Sequence, residues 1–562
     1  MRTMIVDNLE IEIEDEKNVL EVVRKAGIEL PTFCYHSELS LYGACRMCIV
    51  EEESGWIFAS CSQKPRAGMN IKTNTKRVRK YRELILELLL SNHDRDCTTC
   101  DITGRCDLQE LSRKLGINDI RFTPNEKNLP IDYSSHGIIR DPNKCIYCGD
   151  CVRICDEVQG IGALSFVNRG SNMQIAPAFN RGIGEVDCVS CGQCRTVCPT
   201  GAIRVKDNRK EFWDAISDEN KKVIVQIAPA VRVALGEKFG LEAGEITIGK
   251  IITALKLMGV DEVYDTAFAA DLTVIEEGRE FLERLENNEN LPLFTSCCPA
   301  WVEFAEIKHP DIVKNISTCK SPQQMFGAVV KEKYKDNEKE TVIVSIMPCT
   351  AKKAEAARDE FENDGIKDVD IVISTLELAT MIKASGIVFE ELEERSFDMP
   401  FGLASGSGMI FGSTGGVSEA VVTSLIDREL GYREKDLIFK DVRGFENLKE
   451  AEFKLKDRTI KIAVVHGLKS ADELVRQIKN KEKHYDFIEV MACVGGCISG
   501  GGQPKNSDPE ARLKRAKGLR RIDKTSFIKS AENNPLVTDL YDDILKENRH
   551  IIHVNKKSVL DN

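Results

Sequence analysis

Two runs of cysteine repeat in register in this chain. KCIYCGDCVRIC at 144–155 and DCVSCGQCRTVC at 187–198 each carry the spacing C-x2-C-x2-C-x3-C. A single zinc ion is satisfied by four thiolates from two C-x2-C pairs. Three thiolates in one tight loop, with the fourth taken from the other run, instead suit a pair of 4Fe–4S clusters. On that spacing Cys145, Cys148, Cys151 and Cys198 hold one cluster, and Cys188, Cys191, Cys194 and Cys155 hold the second. Zinc ribbons or disulfides are the alternative use of these residues. The cluster reading makes the chain a conductor of electrons.

Two further groups precede these runs. Cys34, Cys45, Cys48 and Cys61 are spaced C-x10-C-x2-C-x12-C. This resembles a plant-type 2Fe–2S ferredoxin in a β-grasp fold, with a longer first gap than the plant form. The longer gap resembles the N-terminal modules of complex I and of hydrogenases; a zinc knuckle is the alternative. Then SNHDRDCTTCDITGRC gives His93, Cys97, Cys100 and Cys106 as H-x3-C-x2-C-x5-C. An imidazole can replace one thiolate of a 4Fe–4S cluster and raises its potential. The runs at 144–198 resemble a two-cluster bacterial ferredoxin.

The elements that must position these ligands follow from local pattern. TMIV and LEIEIE read as a hairpin turning at Asp7–Asn8, and NVLEVVRKAG as a helix closed by Gly27. A helix is expected from about Val78 to Leu90, opened by Lys72, Lys76, Arg77, Arg79, Lys80 and Arg82. Those charges oppose the helix dipole. They are either a solvated face or a docking patch for an acidic electron carrier. Residues 107–125 read as a helical closure and 126–140 as a linker.

Composition narrows the class. The chain has 562 residues, a formal charge of −12 and 21 cysteines. Net negative charge argues against nucleic acid as a partner. No apolar run reaches the ~18 residues of a membrane span. With no export signal evident, so many cysteines read as metal ligands in a reducing cytoplasm. After about Lys210 cysteines vanish for almost a hundred residues, and VIVQIAPA, VIVSIMPC, IKIAVVHG and DFIEVMAC each precede a helical pattern. Such alternation predicts a doubly wound α/β fold, with ligands beyond the carboxyl ends of strands. There lie Cys297, Cys298, Cys349, Cys493 and Cys497; Cys319 is the sixth cysteine of this half.

TSCCPAW (295–301), MPCTAKKAE (347–355) and MACVGGCISGGGQP (491–504) closely resemble the three signature segments of the FeFe-hydrogenases. The N-terminal modules resemble the long clostridial-type form with four accessory clusters. The resemblance implies an H-cluster, a 4Fe–4S cubane joined to a di-iron unit bearing CO, cyanide and an azadithiolate bridge. It implies Cys298, Cys349, Cys493 and Cys497 as cubane ligands, Cys497 being shared with the di-iron unit. Cys297 becomes the first proton relay, followed by Glu277, Ser317, Glu280 and Arg284 at the surface. From the sequence alone, Glu277, Glu280 and Arg284 share one helix face, which is otherwise an exposed charged stripe. Lys352 is implied as a cation for one cyanide, although Lys353 adjoins it. Pro229 and Ala230 are implied beside the other cyanide, with Met347 and Met491 packing on the di-iron unit and Gln323 as a polar contact. Ala230 and Ala300 stand where many relatives carry Ser and Gly. Cys319 is left as a buried filler or a redox thiol.

The expected molecule is an α+β multidomain protein. It has a 2Fe–2S β-grasp module at 1–78, a 4Fe–4S module with one His and three Cys ligands at 79–125, a two-cluster module at 126–209 and a catalytic module at 210–562. The implied activity is reversible proton reduction to H2, fed by a soluble carrier such as ferredoxin. Maturation proteins would build the di-iron unit, and the chain is expected to act as a monomer. Its rivals are a subunit of an electron-bifurcating NAD-linked complex, an electron-wiring subunit like that of complex I, an H2 sensor and an iron–sulfur assembly scaffold.

Overall fold

The computed structural model describes residues 2–123, 128–363, 365–430, 446–455, 458–505 and 509–554. Thr3–Val6 pairs antiparallel with Leu9–Glu12. Asp7 and Asn8 between them take φ of 47° and 76°, the backbone of a tight two-residue turn. These strands join Asn70–Lys72, Ile49–Glu52 and Ile57–Ala59 in one mixed sheet. Helix Val19–Lys25 is capped by the Asn18 side chain, which accepts from Glu21 N at 3.1 Å. Its stripe of Val19, Leu20, Val22 and Val23 packs on Met4, Val6, Val50 and Ile71. The result is a β-grasp.

Helix Lys76–Ser91 starts before the apolar pattern does, because Thr75 Oγ1 accepts from Val78 N and caps it. Its basic residues divide. Lys76, Arg77, Arg79 and Lys80 are exposed, with Arg77 paired to Glu51. Arg82 is buried and donates to Met47 O and Ile49 O at 3.1 and 2.6 Å. Helix Asp107–Lys114 closes the second module. The stretch expected as a linker is built into the third module where it is described. Asp132 and Arg140 form a bridge, and the Asn143 side chain bonds both the N–H and the carbonyl of Leu129. Strand pairs Ile138–Arg140 with Ile203–Val205, and Ser165–Val167 with Gln174–Ala176, complete that module.

The doubly wound α/β pattern expected of the catalytic half is divided between two sheets. The first is parallel, ordered Glu262–Asp265, Lys221–Ile227, Glu340–Met347, Ile371–Ser374. The chain leaves Lys221–Ile227 for one neighbour and later returns to the other side. The switch point therefore lies between Lys221–Ile227 and Glu340–Met347, where such folds open a crevice. The second sheet runs Leu293–Phe294, Phe487–Met491, Arg458–His466, Leu448–Leu455. Its first three strands are parallel and its last is antiparallel. That last strand, LKEAEFKL, buries alternate residues, so it lacks the continuous apolar run of the others. Between the sheets lies the long helix Thr266–Asn287, begun by Asp265, whose carboxylate accepts from Ala267 N at 2.9 Å.

Candidate active site

Four strand ends converge on one place. Cys349 follows Glu340–Met347, Cys297 and Cys298 follow Leu293–Phe294, and Cys493 and Cys497 follow Phe487–Met491. Pro229 and Ala230 follow Lys221–Ile227. A cavity is lined there by Cys297, Cys349, Cys497, Pro229, Ala230, Gln323, Met347, Lys352 and Met491. Thr266, Ala270, Phe411 and Gly412 also line it, and sequence reasoning did not single them out. Thr266 and Ala270 are one helical turn apart. A Cβ on Gly412 would stand 3.3 Å from the Cβ of Ala230, so glycine lets these two segments touch.

Cys298 and Cys493 lie outside that lining. Cys298 caps helix Pro299–Lys308, and its Sγ accepts from Ala492 N at 3.4 Å. Cys493 Sγ accepts from Gln193 Nε2 at 3.1 Å. Burial raises the thiols of Cys298, Cys349 and Cys493, Cys349 to about 11. Four thiolates gathered in so dry a place persist only when a cationic centre shares them. The donor set therefore fits a cubane cluster, and the cavity beside Cys497 fits a second metal unit. The buried Gln323 Oε1 has no hydrogen-bond partner and belongs to a residue lining that cavity. Among the described residues no three His, Cys, Asp or Glu side chains gather tightly enough to hold one metal ion.

The two adjacent lysines part company. Lys352 Nζ lies 2.9 and 3.0 Å from the Glu355 carboxylate at the cavity wall. Glu355 is held in turn by Gln323 Nε2 at 3.0 Å. Lys353 turns away to Val372 O, Asn208 Oδ1 and Glu377.

Glu277 is fully buried; its Oε1 accepts from Ser296 N at 3.2 Å, and its Oε2 has no partner. Burial raises its pKa to about 8, opposed by the hydrogen bond from Ser296 N, and the nearby charge of Glu280 adds to the rise. Burial and the charge of Glu277 push the Cys297 thiol up. One turn along the helix, Glu280 Oε2 accepts from Ser317 Oγ at 2.8 Å, and Glu280 also pairs with Arg284. Arg284 is not at the open surface. Its side chain is 11% exposed and donates to the carbonyls of Asn290, Asn315 and Ile316. Cys319 is buried, its Sγ 3.9 Å from Glu280 Oε2.

Cys34, Cys45, Cys148 and Cys106 share one apolar cluster with Leu86 and Ile146. Arg153, the last residue of the short helix Asp150–Arg153, donates to Cys34 O at 2.9 Å. His93 Nδ1 lies 3.1 Å from Lys144 O. Burial holds its pKa down at about 4, so the ring is neutral. With Nδ1–H given to the carbonyl, Nε2 carries the ring's lone pair. A Cβ on Gly201 would meet Cys100 Sγ at 3.3 Å, which sets the group of His93, Cys97, Cys100 and Cys106 against the run ending at Cys198. At the far end, Thr350 Oγ1 donates to Ser190 O at 2.7 Å, and Gln193 Nε2 also donates to Ser499 O at 3.1 Å. The third module thereby abuts the strand-end loops that carry Cys349, Cys493 and Cys497.

The chain matches family models along its length. These are a 2Fe-2S iron-sulfur cluster binding domain at 2–76, the NADH-ubiquinone oxidoreductase-G iron-sulfur binding region at 82–121 and a 4Fe-4S dicluster domain at 144–202. The iron only hydrogenase large subunit, C-terminal domain, matches 221–501, and the iron hydrogenase small subunit matches 509–554. The last of these falls inside the stretch expected as one catalytic module. The NADP-reducing hydrogenase subunit HndD of Solidesulfovibrio fructosivorans is 42% identical over 97% of this chain and 96% of its own. Iron hydrogenase 1 of Clostridium pasteurianum is 35% identical over 90% of this chain and 89% of its own. A solved structure of FeFe-hydrogenase HydA1 from Chlamydomonas reinhardtii aligns with a TM-score of 0.56 at 36% identity, covering 62% of this chain and 98% of that one. With the catalytic-domain model spanning half of the sequence and named hydrogenases aligned to nearly all of it, the chain belongs to the iron-only hydrogenase family.

Proposed function

We propose that the protein is a FeFe-hydrogenase catalysing 2H⁺ + 2e⁻ ⇌ H2. The observation that carries this reading is the meeting of Cys297, Cys349, Cys497, Lys352, Met347 and Met491 at one cavity, backed by Cys298 and Cys493. Cys298, Cys349, Cys493 and Cys497 would hold the cubane, with Cys497 shared by the di-iron unit. When bound, the H-cluster supplies the redox-active iron and the basic bridge at which H2 is made or cleaved. The chain supplies the rest. Lys352 offers N–H donors at the cavity wall, and Pro229 and Ala230 offer backbone beside it. Gln323 offers an unsatisfied carbonyl oxygen. Met347 and Met491 keep the wall apolar, and water excluded from it strengthens each polar contact. The Cys297 thiol carries the proton nearest the site, and Glu277, with a pKa of about 8, takes and returns it near neutral pH. Ser317 and Glu280 continue the route.

Four modules at 1–78, 79–125, 126–209 and 210–562 would carry one 2Fe–2S cluster, three accessory 4Fe–4S clusters and the H-cluster. Electrons would enter at the first two modules and pass through the paired clusters. A ferredoxin is the proposed carrier, and the cytoplasm the proposed compartment. No described helix is long and apolar enough to cross a membrane. A second reading is favoured by the name of the HndD relative, an NADP-reducing hydrogenase subunit: the chain would then work beside partner subunits that handle the nucleotide.

The test is anaerobic H2 evolution from reduced viologen, on protein matured with its assembly factors, with an infrared spectrum of the same sample. Activity with CO and cyanide bands supports the reading; bands without activity point to a sensor, and neither points to an electron-wiring subunit. Cys297→Ala should keep the bands and lose most turnover. Reduced ferredoxin and NADPH are then compared as donors to the isolated chain. Activity with ferredoxin alone favours the first carrier, and activity with NADPH only after partner subunits are added favours the second.

A further inference from the structure

We propose that His553 is the outer end of the proton route, joined to Glu280 through the hydroxyl of Thr318. This rests on the hydrogenase reading. Arg284, one turn beyond Glu280 on the same helix, is unsuited to pass protons. A guanidinium stays charged throughout and offers no lone pair. Its donors are already spent on Glu280 and three carbonyls. It anchors Glu280 and the 315–316 backbone.

A different line of hydrogen bonds leaves Glu280 in another direction. Thr318 Oγ1 lies 3.1 Å from Glu280 Oε2 and 3.1 Å from His553 Nδ1. His553 Nε2 lies 3.2 Å from Glu276 Oε2. The imidazole is 25% exposed, so water reaches it. Its backbone is fixed onto the same segment: Lys320 N donates to Ile552 O at 2.9 Å, and Val554 N donates to Thr318 O at 2.8 Å. A hydroxyl flanked by a carboxylate and an imidazole can accept on one side and donate on the other. Imidazole is the side chain whose ordinary pKa suits proton exchange near neutral pH.

The proton count closes. The ring starts as imidazolium, with Nε2–H donated to Glu276 Oε2 and its second proton taken from water, and Nδ1–H passes to Thr318 Oγ1. The Thr318 hydroxyl proton passes to Glu280 Oε2, leaving one net proton moved inward and a neutral ring. Glu276 does not carry it. Burial would raise its pKa, but the hydrogen bonds from His553, Arg549 and Tyr541 bring it down to about 2. It remains a carboxylate that orients the ring.

The test uses matured full-length enzyme that already shows turnover and its infrared bands; a wild type without them would fail the hydrogenase reading and not this one. His553→Ala should lower turnover about tenfold with unchanged bands, and imidazole added to the buffer should restore it. Thr318→Val should give the same loss without rescue. The second readout needs no turnover. After dilution into D2O, the buried Glu277 carboxyl should exchange its proton more slowly in both variants, seen as a delayed shift of its C=O stretch. Where His553→Ala fails to fold, Thr318→Val decides alone. Wild-type turnover and wild-type exchange in Thr318→Val would overturn the proposal, as would loss in His553→Ala that imidazole does not restore in a folded, iron-replete sample.

Discussion

Gln193 Nε2 donates to the Sγ of Cys493 at 3.1 Å, so a side chain of the two-cluster module touches a thiol of the catalytic half directly. A hydrogen bond to a ligating sulfur stabilises the reduced state of its cluster. A neutral bond is worth about 1 kcal/mol, or about 40 mV for one electron. Gln193→Leu is expected to lower the potential of that cluster by about this amount without loss of iron. A redox titration followed by electron paramagnetic resonance measures it. An unchanged potential would mean that the amide serves Ser499 O alone.

The same junction leaves no room. A Cβ on Gly501 would stand 2.8 Å from Cys191 O and 2.7 Å from Thr350 Oγ1. Gly501→Ala must push the modules apart by a few tenths of an ångström or more, and electron transfer across them should slow. Turnover driven from the accessory clusters should fall several-fold, while the infrared bands of the active site stay. Equal turnover in the variant and the wild type would show that the junction yields elsewhere.

Arg82 separates two roles that its neighbours share in the sequence. It is buried, and its donors satisfy Met47 O, between Cys45 and Cys48, and Ile49 O at the start of the strand that follows them. Arg82→Met would leave two buried carbonyls unpaired at about 1–3 kcal/mol each. The variant should lose the 2Fe–2S signal selectively and keep the other clusters. Lys80→Ala, at an exposed position, should leave all clusters intact. Loss of every cluster in Arg82→Met would refute a local role.

This division marks where the sequence was legible. Ligand spacing is a local property, so the cysteine groups and His93 could be picked out before any fold was known. Strand-end placement of Cys349 and Cys493 followed from apolar runs, again local. Whether Lys352 or Lys353 faces the cavity turns on about 100° of helix rotation, which no pattern of two lysines encodes. Arg82 looked like its exposed neighbours because its partners are carbonyls more than thirty residues away. The strand Leu448–Leu455 hid behind its alternating charges. His553 carried no signal, since its place beside Thr318 arises only when a distant segment pairs with the residues around Cys319.

The lysine pair gives a further contrast. Lys353 is buried against Glu377, and removing one partner of such a pair costs about 3–5 kcal/mol. Lys353→Met should therefore lower the apparent melting temperature and leave the infrared bands of surviving enzyme unshifted. Lys352→Met strands the buried Glu355 carboxylate and should lower the melting temperature as well, but it alone should displace the cyanide bands and lower turnover at least about tenfold. Equal effects on bands and turnover in the two variants would show that the cavity does not distinguish them.

Glu277 links proton transfer to stability, and the sign can be worked out. The unfolded chain releases this proton near the ordinary value of 4.5, whereas burial keeps it on the folded protein until about 8. Between those values the folded state binds more protons, so its stability falls as pH rises. Glu277→Gln stays neutral at every pH and escapes that loss. The variant's apparent melting temperature, relative to wild type, should therefore climb between pH 5 and pH 8, while its turnover drops about a hundredfold. Comparing the two proteins at each pH cancels Asp271 and Glu489, whose burial likewise raises them to about 7. Glu280→Gln should behave differently. Glu280 accepts from Ser317, from both donors of Thr318 and from Arg284, so an amide there would turn its own donors on others. That variant should be less stable than wild type at every pH. A flat difference for Glu277→Gln across the range would mean that the carboxyl is already ionised when the protein is folded, and that it waits for a proton instead of holding one.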